Sequence, residues 1–241
     1  MLYKLHLFLM FLLLILFTGC KSEPVAVGEG SKIIGTISYD RIPSKINAYG
    51  EVKLDYDNIQ LKTTKYVVVK ALDENDQVLA KTTTNGKGKY VLYVPKNTDV
   101  KIRVYARMFK EGVWDLSVVD NTNMKAQYVI EGGLHNSGNG TTKRNLRATS
   151  GWDGQSYSGS RDAAPFAILD SINTIMQKIV KANPNIKFPH LLINWSPNNV
   201  AAGGDQTLGQ IVTSNYDGNS NLWILGDANS DTDEYLSLIH I

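Results

Sequence analysis

One cysteine, four histidines and an acidic run near the end are where residue type and spacing in this chain point to chemistry. Cys20 is the only cysteine among 241 residues. An intrachain disulfide and a multi-thiolate metal site are therefore excluded. His6, His135, His190 and His240 show no HxxxH or HxH spacing, so no single helix or strand aims two imidazoles at one metal ion. His135 reads as a solvated loop histidine, and His190, after Pro189, stands at a strand entrance. Asp227, Asn229, Asp231 and Asp233 place oxygens at alternate positions, as calcium loops do. But Thr232 stands where such a loop wants glycine, and Leu238 where it wants a bidentate glutamate. Asp231 with Glu234 three residues on fits better as a capping box, with negative charge at the positive end of a helix start. Trp152 and Tyr157, among the glycines of residues 150–162 (SGWDGQSYSGSRD), could line a sugar-binding surface. The plainer role for them is to cap a core beside a tight turn.

Cys20 gains meaning from what precedes it. Lys4 supplies a positive start, Leu5–Phe17 is apolar apart from His6, and small residues lead into the cysteine. The run is short for a bilayer span and has the three-part layout of a secretory signal. The ending Leu16-Phe17-Thr18-Gly19-Cys20 resembles a lipobox, the recognition element of bacterial lipoprotein signal peptides. That resemblance implies removal of residues 1–19 and acylation of Cys20, which becomes the first mature residue. Residues 20–31 then form a polar tether. Lys21, where inner-membrane retention in enteric-type bacteria uses Asp, favours the outer membrane. The partner so implied is the membrane, reached through lipid and needing two or more acyl chains at about 0.8 kcal/mol per buried methylene.

Loss of Lys4 with the leader takes the formal charge from +2 to +1. Such a balance offers no electrostatic case for nucleic acid, and pairs such as Lys143-Arg144 read as solvated loop residues. The mature length suffices for two modest cores.

From Lys32 to Glu131 the pattern is β. Ile102, Val104 and Ala106 alternate with Lys101, Arg103, Tyr105 and Arg107. Tyr66–Val69 has the composition of a central strand. Gln77–Thr84 and Lys89–Pro95 flank Asn85-Gly86-Lys87-Gly88, which predicts a tight hairpin. Lys32–Tyr39, Trp114–Val119 and Ala126–Ile130 complete seven short strands, the count expected of a β-sandwich. Gly35-Thr36-Ile37, Val67–Asp73 and the stretch from Thr82 to Tyr90 (TTTNGKGKY) resemble the carboxypeptidase regulatory-like domain, a transthyretin-like sandwich, over residues 32–108. Asn85 departs from the Asp often found there. The resemblance implies a non-catalytic spacer or folding partner.

Residues 132–143, rich in Gly, Asn and Ser, read as a linker. Beyond them, Ile168, Leu169, Ile172, Ile175, Met176, Ile179 and Val180 recur at helical spacing within Ala163–Lys181. Asp162 is placed to cap that helix and Asn183-Pro184 to end it. Leu191–Trp195, Gln210–Ser214 and Leu222–Leu225 read as strands for its apolar stripe to cover.

The segments Ser150-Gly151-Trp152, Pro165–Asp170, Trp195-Ser196-Pro197-Asn198-Asn199 and Asp231–Tyr235 resemble a family of large secreted bacterial proteins. In that family a zinc-peptidase-like domain follows a regulatory-like sandwich. The resemblance implies a capped helix continuing into HExxH, whose histidines hold zinc while the glutamate polarises water against a peptide carbonyl. It also implies an edge strand, Leu222–Leu225, that pairs with extended substrate. HExxH is absent here. Leu236–Ile241 (LSLIHI) resembles a translated sequencing adapter and is expected to be a non-native tail, so His240 is assigned no chemistry.

The expected fold is mainly β with an α/β C-terminal part: a seven-stranded β-sandwich over 32–131, then an incomplete zincin-like α+β subdomain over 144–235. The expected function is that of a membrane-anchored bacterial lipoprotein of the cell envelope. It would be the non-catalytic N-terminal fragment of a secreted zinc metallopeptidase acting on protein or peptide. The alternative is a surface binding or adhesion lipoprotein without activity. Cys20 is the one site residue assigned, as lipid attachment. No catalytic residue, metal ligand or cofactor is assigned within the chain, zinc being expected only in the longer parent.

Overall fold

Alternation within Ser31–Arg41 (SKIIGTISYDR) makes the first strand, β1. Ile33, Ile37 and Tyr39 are buried while Lys32, Ile34, Thr36 and Ser38 on the other side are half-buried, as a pleat with period two requires. The structure is a computed structural model and describes residues 30–46, 49–50 and 52–234. The leader with Cys20, residues 21–29 of the tether and the 236–241 tail lie outside the described residues.

After β1 come the short hairpin β2 (Ser44–Ile46) and β3 (Val52–Leu54), then β4 (Gln60–Thr63), β5 (Val67–Leu72), β6 (Val78–Thr83) and β7 (Lys89–Val94). Two long strands follow, β8 (Asp99–Lys110) and β9 (Trp114–Asp120), then short ones: β10 (Ala126–Gln127), β11 (Val129–Glu131), β12 (His135–Asn136), β13 (Thr141–Lys143) and β14 (Leu146–Ala148). The helix α1 (Ala163–Ala182) precedes β15 (Leu191–Trp195), β16 (Asn215–Tyr216) and β17 (Asn221–Ile224). The chain is thus mainly β, with one α-helix among the described residues.

β1 organises a five-stranded sheet. Its two halves pair antiparallel with β7 and β4 on one side, and parallel with β13 and β14 on the other. A ten-stranded sheet runs β16-β17-β15-β9-β8-β5-β6, with β10 on β9 and β11 and β12 on β8. Both sheets and α1 share one apolar core that includes Ile33, Ile37, Val69, Val104, Phe166 and Ile193. On β8 the predicted alternation holds: Val100, Ile102, Val104, Ala106 and Met108 are buried, while Lys101 and Arg103 on the wet side pair with Asp76 and Glu131.

The turn at residues 85–88 forms, but it does not close a hairpin. Asn85 Oδ1 accepts from the Lys87 and Lys89 amides, and Gly88 takes a φ of +71° that glycine adopts without steric cost. On leaving it, β7 joins β1, whereas β6 pairs with β5 in the other sheet. The turn is an arch between sheets.

Residues 132–143 also differ from the expected linker. They contain β12 and β13, and hydrogen bonding continues through them from one sheet to the other. Arg144 is not solvated. Its guanidinium donates to the carbonyls of Val100, His135 and Asn136 at 2.6–3.0 Å, and its own carbonyl accepts from the Tyr90 hydroxyl at 2.7 Å. Downstream, β15 pairs parallel with β9, so the α/β segment extends the same sheet as the long strands.

The helix spans one residue more than its periodicity predicts, and Asn183 ends it in extended backbone. Asp162 makes no capping hydrogen bond; its carboxylate takes the Ser160 hydroxyl instead. Asp170, on the helix, receives the Tyr39 hydroxyl and Lys65 ammonium, each at 2.8 Å, which fastens α1 to β1. Gln210–Ser214 is not a strand. It bends beneath the sheet, where Ile211 packs with Trp223 and Leu225, and the edge pairing falls to β16.

Candidate functional site

Strands β9, β15 and β17 run parallel, so their carboxyl ends, at Asp120, Trp195 and Ile224, come out together. In open sheets of parallel strands the loops leaving those ends form the natural crevice. Here two buried asparagines tie the loops down. Asn121 and Asn199 exchange side-chain hydrogen bonds of 2.8 and 3.0 Å. Asn121 also donates to the Gln206 carbonyl and Asn199 to that of Ile224. The Asn199 carbonyl in turn accepts from the Gly226 and Asp227 amides. This gives residues 195–199 (WSPNN) a physical reason: the tract closes three strand ends onto one another. Gly226 is required by close approach, since a Cβ there would sit 2.2 Å from the Ser196 carbonyl oxygen.

Over these ends lies a cavity of about 390 Å³, lined by Trp195, Arg161, Tyr128 and Tyr157 and by Asp120 and Asp162. Arg161 precedes α1 and is only 9 % exposed. Its guanidinium lies 4.1 Å from the Tyr157 ring centre and 5.6 Å from that of Trp195. It donates to the Gly226 carbonyl and to the Glu234 carboxylate.

Glu234 is 1 % exposed and also accepts from the Trp195 indole N–H at 3.0 Å. Burial raises its pKa to about 8, against the pull of Arg161 and with Asp231 adding to the rise. Asp231 Oδ2 accepts from the Tyr56 and Tyr157 hydroxyls. Tyr56 stacks on Trp152 at 3.9 Å, and Tyr157 meets both rings edge-on. Burial pushes the Tyr56, Tyr128 and Tyr157 hydroxyls above their ordinary pKa.

The acidic pair Asp231 and Glu234 therefore bounds a short 3-10 turn, and both carboxylates are spent on tertiary partners. Trp152 stacks on Tyr56, and Tyr157 both donates to Asp231 and lines the cavity. Sequence patterns missed Arg161, Tyr128 and the two asparagines as a set, because their partners are remote in the chain. The one local hint was an arginine two residues before an apolar helix.

The histidines do not converge. His135 is exposed in β12, and His190, with its side chain 57 % exposed, has Nδ1 3.6 Å from Asp115 Oδ2. His6 and His240 lie outside the described residues. Among those residues no group of three His, Cys, Asp or Glu could hold a metal, and no helix is long and apolar enough to cross a membrane.

No family model, curated protein or solved structure matches the chain.

A second concavity, about 360 Å³, runs along the C-terminal half of α1. Ile172, Ile175, Met176 and Ile179 face Leu116, Leu191 and Leu222 across it, with His190 and Tyr216 among its lining residues. Beyond β17 the sheet edge is taken by β16, and the Leu225 amide donates to Ser214 Oγ at 2.9 Å. The edge expected to receive extended peptide is already paired over Leu222 and Trp223.

Proposed function

We propose that the chain is the lipid-anchored, non-catalytic N-terminal part of a bacterial cell-envelope zinc metallopeptidase. On this reading residues 32–131 form the regulatory-like sandwich of seven principal strands. The unit of α1, β15 and β17 is the first half of a zincin-like subdomain, held near the outer membrane through Cys20.

One observation carries the proposal. The Asp231–Glu234 turn is fastened at the N-terminal end of α1, the helix whose far half lines an apolar groove. A helix continuing from that turn would have an apolar seat beside α1, which is the element order the resemblance implies. Ile175 and Ile179 are 36 % and 38 % exposed there, whereas Leu222 and Ile224 on the strands are buried.

The test is the native reading frame beyond the Tyr235 codon, followed by zinc analysis of its purified product. An HExxH run with about one zinc per chain supports the proposal; an in-frame stop refutes it. In the longer product Ile175→Lys with Ile179→Lys should lower stability, while the 241-residue chain should tolerate both changes.

A further inference from the structure

We infer that the cavity over the carboxyl ends of β9 and β15 is a binding site for an organic cation, an alkylammonium or guanidinium group. Three of its lining residues are aromatic, Tyr128, Tyr157 and Trp195, with the Tyr128 and Trp195 rings 5.2 Å apart. Asp120 and Asp162 also line it, and neither takes part in an ion pair among the described residues. The Asp162 charge is partly answered by the start of α1. Asp120 has no such compensation: its carboxylate accepts from the Thr122 amide and hydroxyl at 2.9 and 2.7 Å and from the Tyr128 hydroxyl, all neutral donors.

The one cation in the lining, Arg161, is committed to the Gly226 carbonyl and to Glu234. It also shows what these walls accept, since its guanidinium already lies over two of the rings. Ring faces attract cations through their quadrupole, and more strongly where water is displaced. A neutral polyol would find the rings but leave the carboxylate charge unanswered. An anion would meet Asp120 and Asp162 directly. The volume suits a single side-chain end or a small diamine. None of this depends on the peptidase proposal.

The experiment uses the full chain and follows the Trp195 indole N–H signal by NMR during titration. The probes are agmatine, the blocked tripeptide acetyl-Gly-Lys-Gly-amide, N-acetylglucosamine and acetate. Agmatine or the tripeptide should move the Trp195 signal saturably; the tripeptide arm tells a peptide side chain from a free amine. Asp120→Asn, which keeps an acceptor for Thr122, should weaken binding by about tenfold or more. Saturation with N-acetylglucosamine or acetate at equal or better affinity would overturn the inference, as would no saturation with either cation. Undiminished binding in Asp120→Asn would also overturn it. Should that variant fold poorly, the cation preference of the unaltered chain decides alone.

Discussion

Arg161 donates to the Glu234 carboxyl, 73 residues away, in a buried contact. That contact closes the described part of the chain against the beginning of α1. Removing the carboxyl strands the buried Arg161 charge. Glu234→Ala is therefore expected to cost about 3–5 kcal/mol, read as a fall in the urea midpoint.

The same carboxyl gives a pH dependence. Its folded pKa, about 8, lies above the ordinary 4.5, so the folded state binds the proton more tightly than the unfolded chain. Its stabilising contribution is complete below pH 4.5 and is lost as pH rises through about 8. Glu234→Gln, which cannot titrate, should flatten the decline in stability between pH 5 and pH 8. Parallel slopes for the two proteins would contradict this.

Asn199 holds three loops at once. Asn199→Ala leaves Asn121 with an unmet donor and acceptor in a buried place, and should destabilise by about 2–3 kcal/mol. The signature is loss of hydrogen-exchange protection at the Ile224–Asp227 amides, ahead of any loss in β1.

Gly226→Ala places a methyl 2.2 Å from the Ser196 oxygen and 2.6 Å from Trp195 Nε1. Backbone on one side and a hydrogen-bonded indole on the other leave little room to yield. A cost of about 3 kcal/mol is expected, with a shifted Trp195 indole resonance.

Cutting the chain at residue 131 removes β13 and β14 from β1 and β15 from β9. The 30–131 piece loses β12 from β8 but keeps the antiparallel pairings among β1–β11, and should fold with a lower melting temperature than the full chain. The 144–234 piece keeps α1 but bares an open edge of β15 and should aggregate. A monomeric, cooperative melt of that piece would refute this.

Much of the local structure was legible. Period-two alternation marked β8, and the spacing from Ile168 to Val180 marked α1, because each pattern reflects a face turned to one core; Lys32–Tyr39 was placed as a strand within β1. The partner of each strand was not legible. Asn85–Gly88 encodes a turn, yet nothing in it says that β6 and β7 belong to different sheets. Thr141–Lys143 was hidden for another reason: three polar residues join a sheet only because the edge of β1 is there to receive them. Asp231 and Glu234 had capping spacing, and distant donors, Tyr56, Tyr157, Arg161 and Trp195, claimed both carboxylates. The WSPNN tract was noticed as a pattern, and its buried asparagine bridge could not be read without the β9 end opposite.

The two-sided pairing of β1 has a consequence for how the molecule is made. Thr36 donates its amide to Asn145, 109 residues later, so one flank of the first strand stays vacant until that much more of the chain has been made. A polypeptide emerging amino end first must keep that flank from unrelated strands until the late segments arrive. The five-stranded sheet is then completed only after β14 has emerged, and synthesis interrupted before that point yields a sticky product rather than a smaller finished one.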